Sequence, residues 1–238
     1  MSGHSRWSQI KHQKGAADAK KGQLFSKMGK LIAIAAKKGA DPDRNPTLAG
    51  MIERARAVNM PKDNIERAIQ RGQDVTATEL RSVVYQALGP EGVALVIEAI
   101  TDNNNRTFNE VRMILAKHRA KLAVEGSLNW LFDRLAVVAA NGAPLNDDQQ
   151  LFLIEVGAID ITVEPEGITV TGAPESLHAL QGALRTYGFT LASAAVEYIA
   201  RKYLSVNPVA CVAITKLRTD LEDHADIEAV FTNMASPK

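Results

Sequence analysis

Ala158-Ile-Asp-Ile-Thr-Val-Glu164-Pro-Glu-Gly167-Ile168-Thr-Val-Thr171 is two β-branched runs, Ile159–Glu164 and Ile168–Thr171, joined at Pro165-Glu166-Gly167. Isoleucine, valine and threonine fit a pleated surface, and the Pro-Glu-Gly interruption supplies turn chemistry, so the segment predicts a hairpin. Working outward, a helical period over Asn146–Val156 and a strand-like run Leu135–Ala140 precede it; a helix over Pro174–Tyr187 and a strand Thr190–Tyr198 follow. The order βαββαβ is the split arrangement of a ferredoxin-like domain. Upstream, Leu80–Leu88 and Val93–Ile100 flank Gly89-Pro90-Glu91-Gly92 as a second predicted hairpin. Thr107-Phe108-Asn109-Glu110 has the form of a capping box, opening a helix whose inner face is Val111, Ile114, Leu115 and His118. Ser127–Phe132 is a further strand candidate. That half-pattern wants another helix and strand, which the C-terminus supplies as Ala210–Leu221 and Ile227–Thr232.

The beginning of the chain has a different character. From about Lys20, Leu24, Phe25, Met28, Leu31, Ile32 and Ala35 recur at helical steps, with Lys20, Lys27, Lys30 and Lys37 in an adjoining stripe at about 100° per residue. Gly39 is the expected stop. A second helix opens at Asn45-Pro46 and buries Leu48, Met51, Ile52, Ala55 and Val58; a third starts at Pro61 and ends before Gly72. The expected fold is therefore α+β: a small N-terminal helical domain plus two ferredoxin-like α/β domains, the third inserted in the second. The expected borders are 1–78, 79–133 with 201–238, and 134–200.

Charge separates these regions. The whole chain carries only +1, yet residues 1–72 hold fifteen Lys/Arg against six Asp/Glu, and the rest thirteen against twenty-one. Such a division places a basic binding module on an acidic scaffold, the footprint of a polyanion binder. Within the first 22 residues, His4, Arg6, Trp7, Lys11, His12, Lys14, Lys20 and Lys21 lie among three glycines. Histidine and tryptophan rings can stack on bases while lysines neutralise phosphate; Trp7 can equally fold back on the first helix. Lys27 and Lys30 extend the same candidate surface. A second candidate is Asp102, Asn103, Asn105, Arg106 and Thr107, where amides at a helix start can hold an anion, although asparagines also serve simply as turn formers.

Catalytic and cofactor signatures are missing: no Walker loop, no glycine fingerprint after a strand, no His-Glu-x-x-His and no Cys-x-x-Cys. The expectation is a non-enzyme with no cofactor, no metal and no small-molecule substrate. Glu222, Asp223, His224 and Asp226 group acids around a histidine, and read as a solvated turn before the last strand more readily than as a metal site. Cys211, alone among apolar neighbours, reads as a structural thiol. No run approaches the ~20 apolar residues of a membrane span, and the basic start lacks the apolar core of a secretory signal, so a cytoplasmic protein is expected.

Specific motifs add a resemblance. Gly3-His-Ser-Arg-Trp7, Ile10-Lys-His-Gln-Lys-Gly-Ala16, Asp18-Ala-Lys-Lys-Gly22 and Phe25 with Lys27 resemble the N-terminal signature of the YebC/PmpR proteins. Asn59-Met-Pro-Lys-Asp-Asn-Ile-Glu-Arg-Ala-Ile69 and Thr101-Asp-Asn-Asn-Asn-Arg-Thr107 extend the match, and Leu221-Glu222-Asp223 with Ala229-Val-Phe-Thr-Asn233 continue it more weakly. The resemblance implies the three-domain layout and regulation of gene expression. Family members are commonly described as DNA-binding transcriptional regulators; others are tied to the ribosome, and a mitochondrial relative activates translation of cytochrome oxidase messages. The implied partner is nucleic acid, DNA or ribosomal RNA, with the ribosome as a possible assembly. The chain departs from the pattern where relatives carry Tyr-Glu-Gly-Tyr-Gly-Pro-Gly-Gly: it has Tyr85-Gln-Ala-Leu-Gly-Pro-Glu-Gly92. Arg119-Ala120 stands in place of a Gly-Gly pair and Ala123 in place of another glycine. The alanines are expected to be strained if the backbone there has positive φ.

Overall fold

The structure is a computed structural model, and it describes residues 19–74, 79–164 and 167–235. Three helices come first: α1 (Ala19–Ala36), α2 (Pro46–Ala57) and α3 (Lys62–Gln73). Met28, Ile32, Leu48, Ile52, Met60 and Ile65 interlock as their core, as the apolar spacing requires. Asn45 caps α2 by accepting from the Leu48 amide at 3.1 Å, and its own amide donates to the Ala35 and Gly39 carbonyls. One buried side chain thus starts α2 and ties down the end of α1. The third helix runs through Gly72 rather than stopping before it. A Cβ on Gly72 would lie 2.3 Å from the Ala33 carbonyl oxygen, so glycine here allows α1 and α3 to touch along their backbones.

The first sheet has the order β3-β1-β2-β8, built from β1 (Arg81–Leu88), β2 (Ala94–Thr101), β3 (Lys121–Leu122) and β8 (Ile227–Thr232). Helices α4 (Asn104–Lys117) and α7 (Pro208–Glu222) complete it, with Leu95, Ile97, Val111, Leu115, Leu217 and Leu221 in the core. The β1–β2 hairpin is antiparallel from Arg81↔Thr101 to Leu88↔Ala94. Its turn places Glu91 at φ 55°. Arg119 likewise holds φ 58°, whereas Ala120 and Ala123 do not enter the left-handed region. The strain expected of the alanines therefore falls on Glu91 and Arg119.

Two local expectations need correction. The helix after β2 begins at Asn104 with Asn103 as its cap, so Thr107 does not open it. Asparagine caps as well as threonine, and the Thr107 hydroxyl is engaged elsewhere. Residues 127–132 do not form a strand of their own. Asn129–Leu131 is a 3-10 turn, closed by the Leu131 amide on the Leu128 carbonyl at 3.0 Å, and Phe132 is the first residue of the next strand.

The second sheet has the order β5-β6-β4-β7, from β4 (Phe132–Asn141), β5 (Ala158–Glu164), β6 (Gly167–Gly172) and β7 (Thr190–Ala200). With α5 (Asp147–Glu155) and α6 (Leu177–Thr186) it realises the βαββαβ arrangement, and it is inserted between β3 and α7. Val138, Leu153, Ile168, Val170, Leu180 and Leu184 form a separate core. Asn146 and Gln149 make a reciprocal capping box on α5. The chain falls into two compact units: residues 19–127 with 207–232, and 128–206 with 233–235. The helical domain and the first sheet share one unit.

Candidate nucleic-acid interface

His4, Arg6, Trp7, Lys11, His12 and Lys14 lie outside the described residues, as does the side chain of Lys20. Lys21 is exposed on the first turns of α1, its ammonium 5.9 Å from the Phe25 ring centre. Further along α1 the stripe is not a free surface. The Lys27 ammonium donates to the Glu222 carbonyl among Glu228, Glu222 and Asp223; burial nevertheless pulls its pKa down. Lys30 donates to Asp226 Oδ1 at 2.5 Å and to the Ala225 carbonyl at 3.0 Å. Lys37 reaches the Leu80 carbonyl at 2.8 Å and Glu79 at 3.5 Å. These three lysines fasten the helical domain to the first sheet.

The loop and first helical turn over 102–107 serve the same joint. Arg106 Nη2 meets Asp226 Oδ2 at 2.7 Å and Asp102 Oδ1 at 3.1 Å. The Thr107 hydroxyl lies 2.6 Å from Asp226 Oδ2 and 2.8 Å from Thr101 Oγ1. Asn103 is spent as the cap, accepting from the Arg106 amide. Asn105 is exposed and offers its carbonyl to Asn109. The five residues thus divide into a buried threonine, an exposed arginine that reaches the buried Asp226, its supporting acid, a cap and an exposed asparagine.

Asp226 is the hub that sequence reasoning missed. It is only 5% exposed, in a turn expected to be solvated. Burial alone would raise its pKa; hydrogen bonds from Lys30, Thr107 and Arg106 outweigh that and hold it well below the usual carboxylate range. The sole local signal was an aspartate just before β8, with nothing to indicate its distant partners. Glu110, His224 and Asp226 have ligand-type atoms within 4.8 Å of one another. This set does not suit a cation. His224 accepts the Asp226 amide at Nδ1 and meets Glu110 at Nε2, while Lys30 and Arg106 already neutralise Asp226.

The cations that remain outward on the helical domain are others. Lys38, Arg56 and Arg71 are exposed and have no ion-pair partner among the described residues. With Lys21 they are exposed positive charges of the helical domain itself.

A match to the family model described as "TACO1/YebC protein N-terminal domain" covers residues 5–75, and one to "TACO1/YebC second and third domain" covers 80–234. The chain belongs to the TACO1/YebC family. A relative in Treponema denticola is 41% identical over 241 residues, spanning 100% of this chain and 98% of its own. One in Dictyoglomus turgidum is 39% identical, spanning 100% and 97%. Both carry the name "Probable transcriptional regulatory protein". The crystal structure of a conserved hypothetical protein from Aquifex aeolicus superposes with a TM-score of 0.86 at 33% identity, covering 98% of each chain. Among the described residues, no helix is long and apolar enough to cross a membrane.

Proposed function

We propose that this TACO1/YebC protein is a non-enzymatic, nucleic-acid-binding regulator of gene expression, working in the cytoplasm as a DNA-binding transcriptional regulator. The observation that carries the reading is the charge division: fifteen cations against six acids in residues 1–72, on a remainder with the opposite excess. The names of the relatives support a regulatory role. Arg6, Lys11, Lys14, Lys20 and Lys21 supply phosphate contacts, His4, Trp7 and His12 supply rings, and the outward Lys38, Arg56 and Arg71 continue the positive surface. Contacts of this kind give affinity without sequence information. Asp102, Asn103, Arg106 and Thr107 act indirectly by holding the helical domain in place.

A second reading, a translation factor on ribosomal RNA, is favoured by one feature: a stackable tryptophan inside the basic arm suits irregular or single-stranded RNA better than a duplex groove. Binding of duplex DNA and of structured RNA should be titrated between about 50 and 200 mM salt, where six or more phosphate contacts weaken affinity by orders of magnitude. Changing Lys11, Lys14, Lys20 and Lys21 to glutamine is expected to flatten that salt slope. An unchanged slope removes the arm from the mechanism. Crosslinking in living cells separates the readings: discrete promoters support the regulator of transcription, and ribosomal RNA the translation factor.

A further inference from the structure

We propose that Trp130, at the end of the second sheet that also carries Arg134 and Lys202, is a stacking site for single-stranded nucleic acid on the inserted domain, distinct from the candidate residues of the first 22. The inference rests on the nucleic-acid reading above, and it adds a second contact on a domain that is otherwise acidic.

Trp130 is 68% exposed, an unusual position for the largest apolar ring. The ring is not at the tip of a loose loop. It sits in the 3-10 turn Asn129–Leu131 between two buried anchors, Leu128 and Phe132. On the far side of the turn, the Arg201 amide donates to the Leu131 carbonyl at 2.9 Å. That bond prolongs the β4–β7 ladder, in which Phe132 faces Ala200 and Arg134 faces Tyr198. Directly paired residues share a sheet face, so Arg134 and Tyr198 lie together on the strands that lead to the turn. Lys202 follows Arg201 immediately across from it.

Charge selects the ligand. Residues 128–206 contain nine acids and four bases, and three of those bases, Arg134, Arg201 and Lys202, gather at this one end of the sheet. Arg201 is held by Asp133 at 2.7 Å, which also neutralises the nearest acid in sequence. Arg134 and Lys202 are exposed and have no ion-pair partner among the described residues. An exposed flat ring and two exposed cations at the same end of one sheet match a base and its neighbouring phosphates. A duplex keeps its base faces stacked inside, so the ring can engage only an unpaired strand.

The full-length chain with Trp7→Phe leaves Trp130 as its only tryptophan, since the sequence contains two. Titration with a short oligouridylate, followed by tryptophan emission, acrylamide quenching and anisotropy of the labelled oligonucleotide, reads the ring and the binding separately. The expected result is quenched emission and loss of acrylamide access as the oligonucleotide binds. Trp130→Ala should weaken binding roughly 5- to 150-fold, the range of one stacked base, while Trp130→Phe should retain most of it. Arg134→Ala with Lys202→Ala should lower the salt slope by about 1.4, two single-strand phosphates. Unchanged far-UV circular dichroism establishes that these surface variants remain folded. The proposal is overturned if anisotropy reports binding while Trp130 stays as accessible as in the free chain, an outcome that leaves the arm intact as a site. It is also overturned if a duplex shields the ring as well as a single strand does. No anisotropy change with any nucleic acid overturns the broader reading too.

Discussion

Arg119 and Glu91 occupy a backbone region that crowds a Cβ against its own carbonyl, at φ 58° and 55°. Arg119 is exposed at the end of α4, and its side chain has no hydrogen-bond or ion-pair partner among the described residues. Arg119→Gly is therefore expected to stabilise the chain by about 1 kcal/mol, read as a higher urea midpoint at unchanged slope. Glu91 differs because its carboxylate accepts from the Asn207 amide and side chain at the start of α7. Glu91→Gly should gain less than Arg119→Gly, or lose stability, in the same measurement. Two acids close together near β8 respond to pH with opposite sign. The Asp226 pKa lies below its unfolded value, so its contribution is complete above about pH 4 and is lost as pH falls through the folded value. Glu228 is raised by burial, against the pull of Arg54 and Lys27, so its contribution is present below 4.5 and is lost as pH rises through the folded value. Urea midpoints across acid pH should show Asp226→Asn with a shallower acid limb, by up to about 1.4 kcal/mol per pH unit. Glu228→Gln should instead remove a decline in stability above pH 4.5.

At the scale of elements, α1 shows what a helical stripe can and cannot convey. The period puts Lys27, Lys30 and Lys37 on one side of the helix and says nothing about what lies across from them. Lys30 finds Asp226, which is 196 residues away in sequence. Lys30→Met is accordingly expected to cost about 2–3 kcal/mol of stability, the scale of a charged hydrogen bond within a buried pair, measured by urea unfolding. The same variant should leave the salt slope of nucleic-acid binding unchanged, while neutralising Lys38, Arg56 and Arg71 lowers it. Most strands and helices were legible because their signals are local: the hairpin around Gly89–Gly92, the Asn146 cap, and Ile227–Thr232 as a short β-branched run. The α4 start was misplaced because Asn103 and Thr107 both satisfy the chemistry of a cap, and the choice falls to Asp226, which takes the Thr107 hydroxyl. Residues 127–132 misled for a related reason. Leu128 is buried while its neighbours Asn129 and Trp130 are both exposed, so the apolar content there has no strand alternation behind it. The Thr101–Thr107 motif was visible, but its task as a joint requires knowing that a turn from the far end of the chain arrives against it.

Besides the helical core, the whole molecule combines one sheet core drawn from a continuous stretch with another drawn from two distant ones. Every member of the inserted domain's core lies within residues 136–189. The first sheet instead needs both ends of the insertion: Leu217, Leu221 and Ile227, each fully buried, come from beyond it, and β8 pairs with the central strand β2 from Leu95↔Thr232 to Ala99↔Ile227. Removing residues 207–238 would uncover one face of that core and one edge of β2, a loss of several large side chains at about 2–5 kcal/mol each, comparable to the entire stability of a domain. The truncated chain should therefore keep a cooperative unit over 128–206 and lose the first sheet. Hydrogen exchange resolves this directly: amides of β4, β6 and β7 should stay protected after truncation, and those of β1 and β2 should exchange freely. Persistent protection in β1 and β2 would mean that the hairpin and α4 hold together without α7 and β8. In that case the Asp226 turn would be an accessory to the helical domain's placement rather than part of what folds the sheet beneath it.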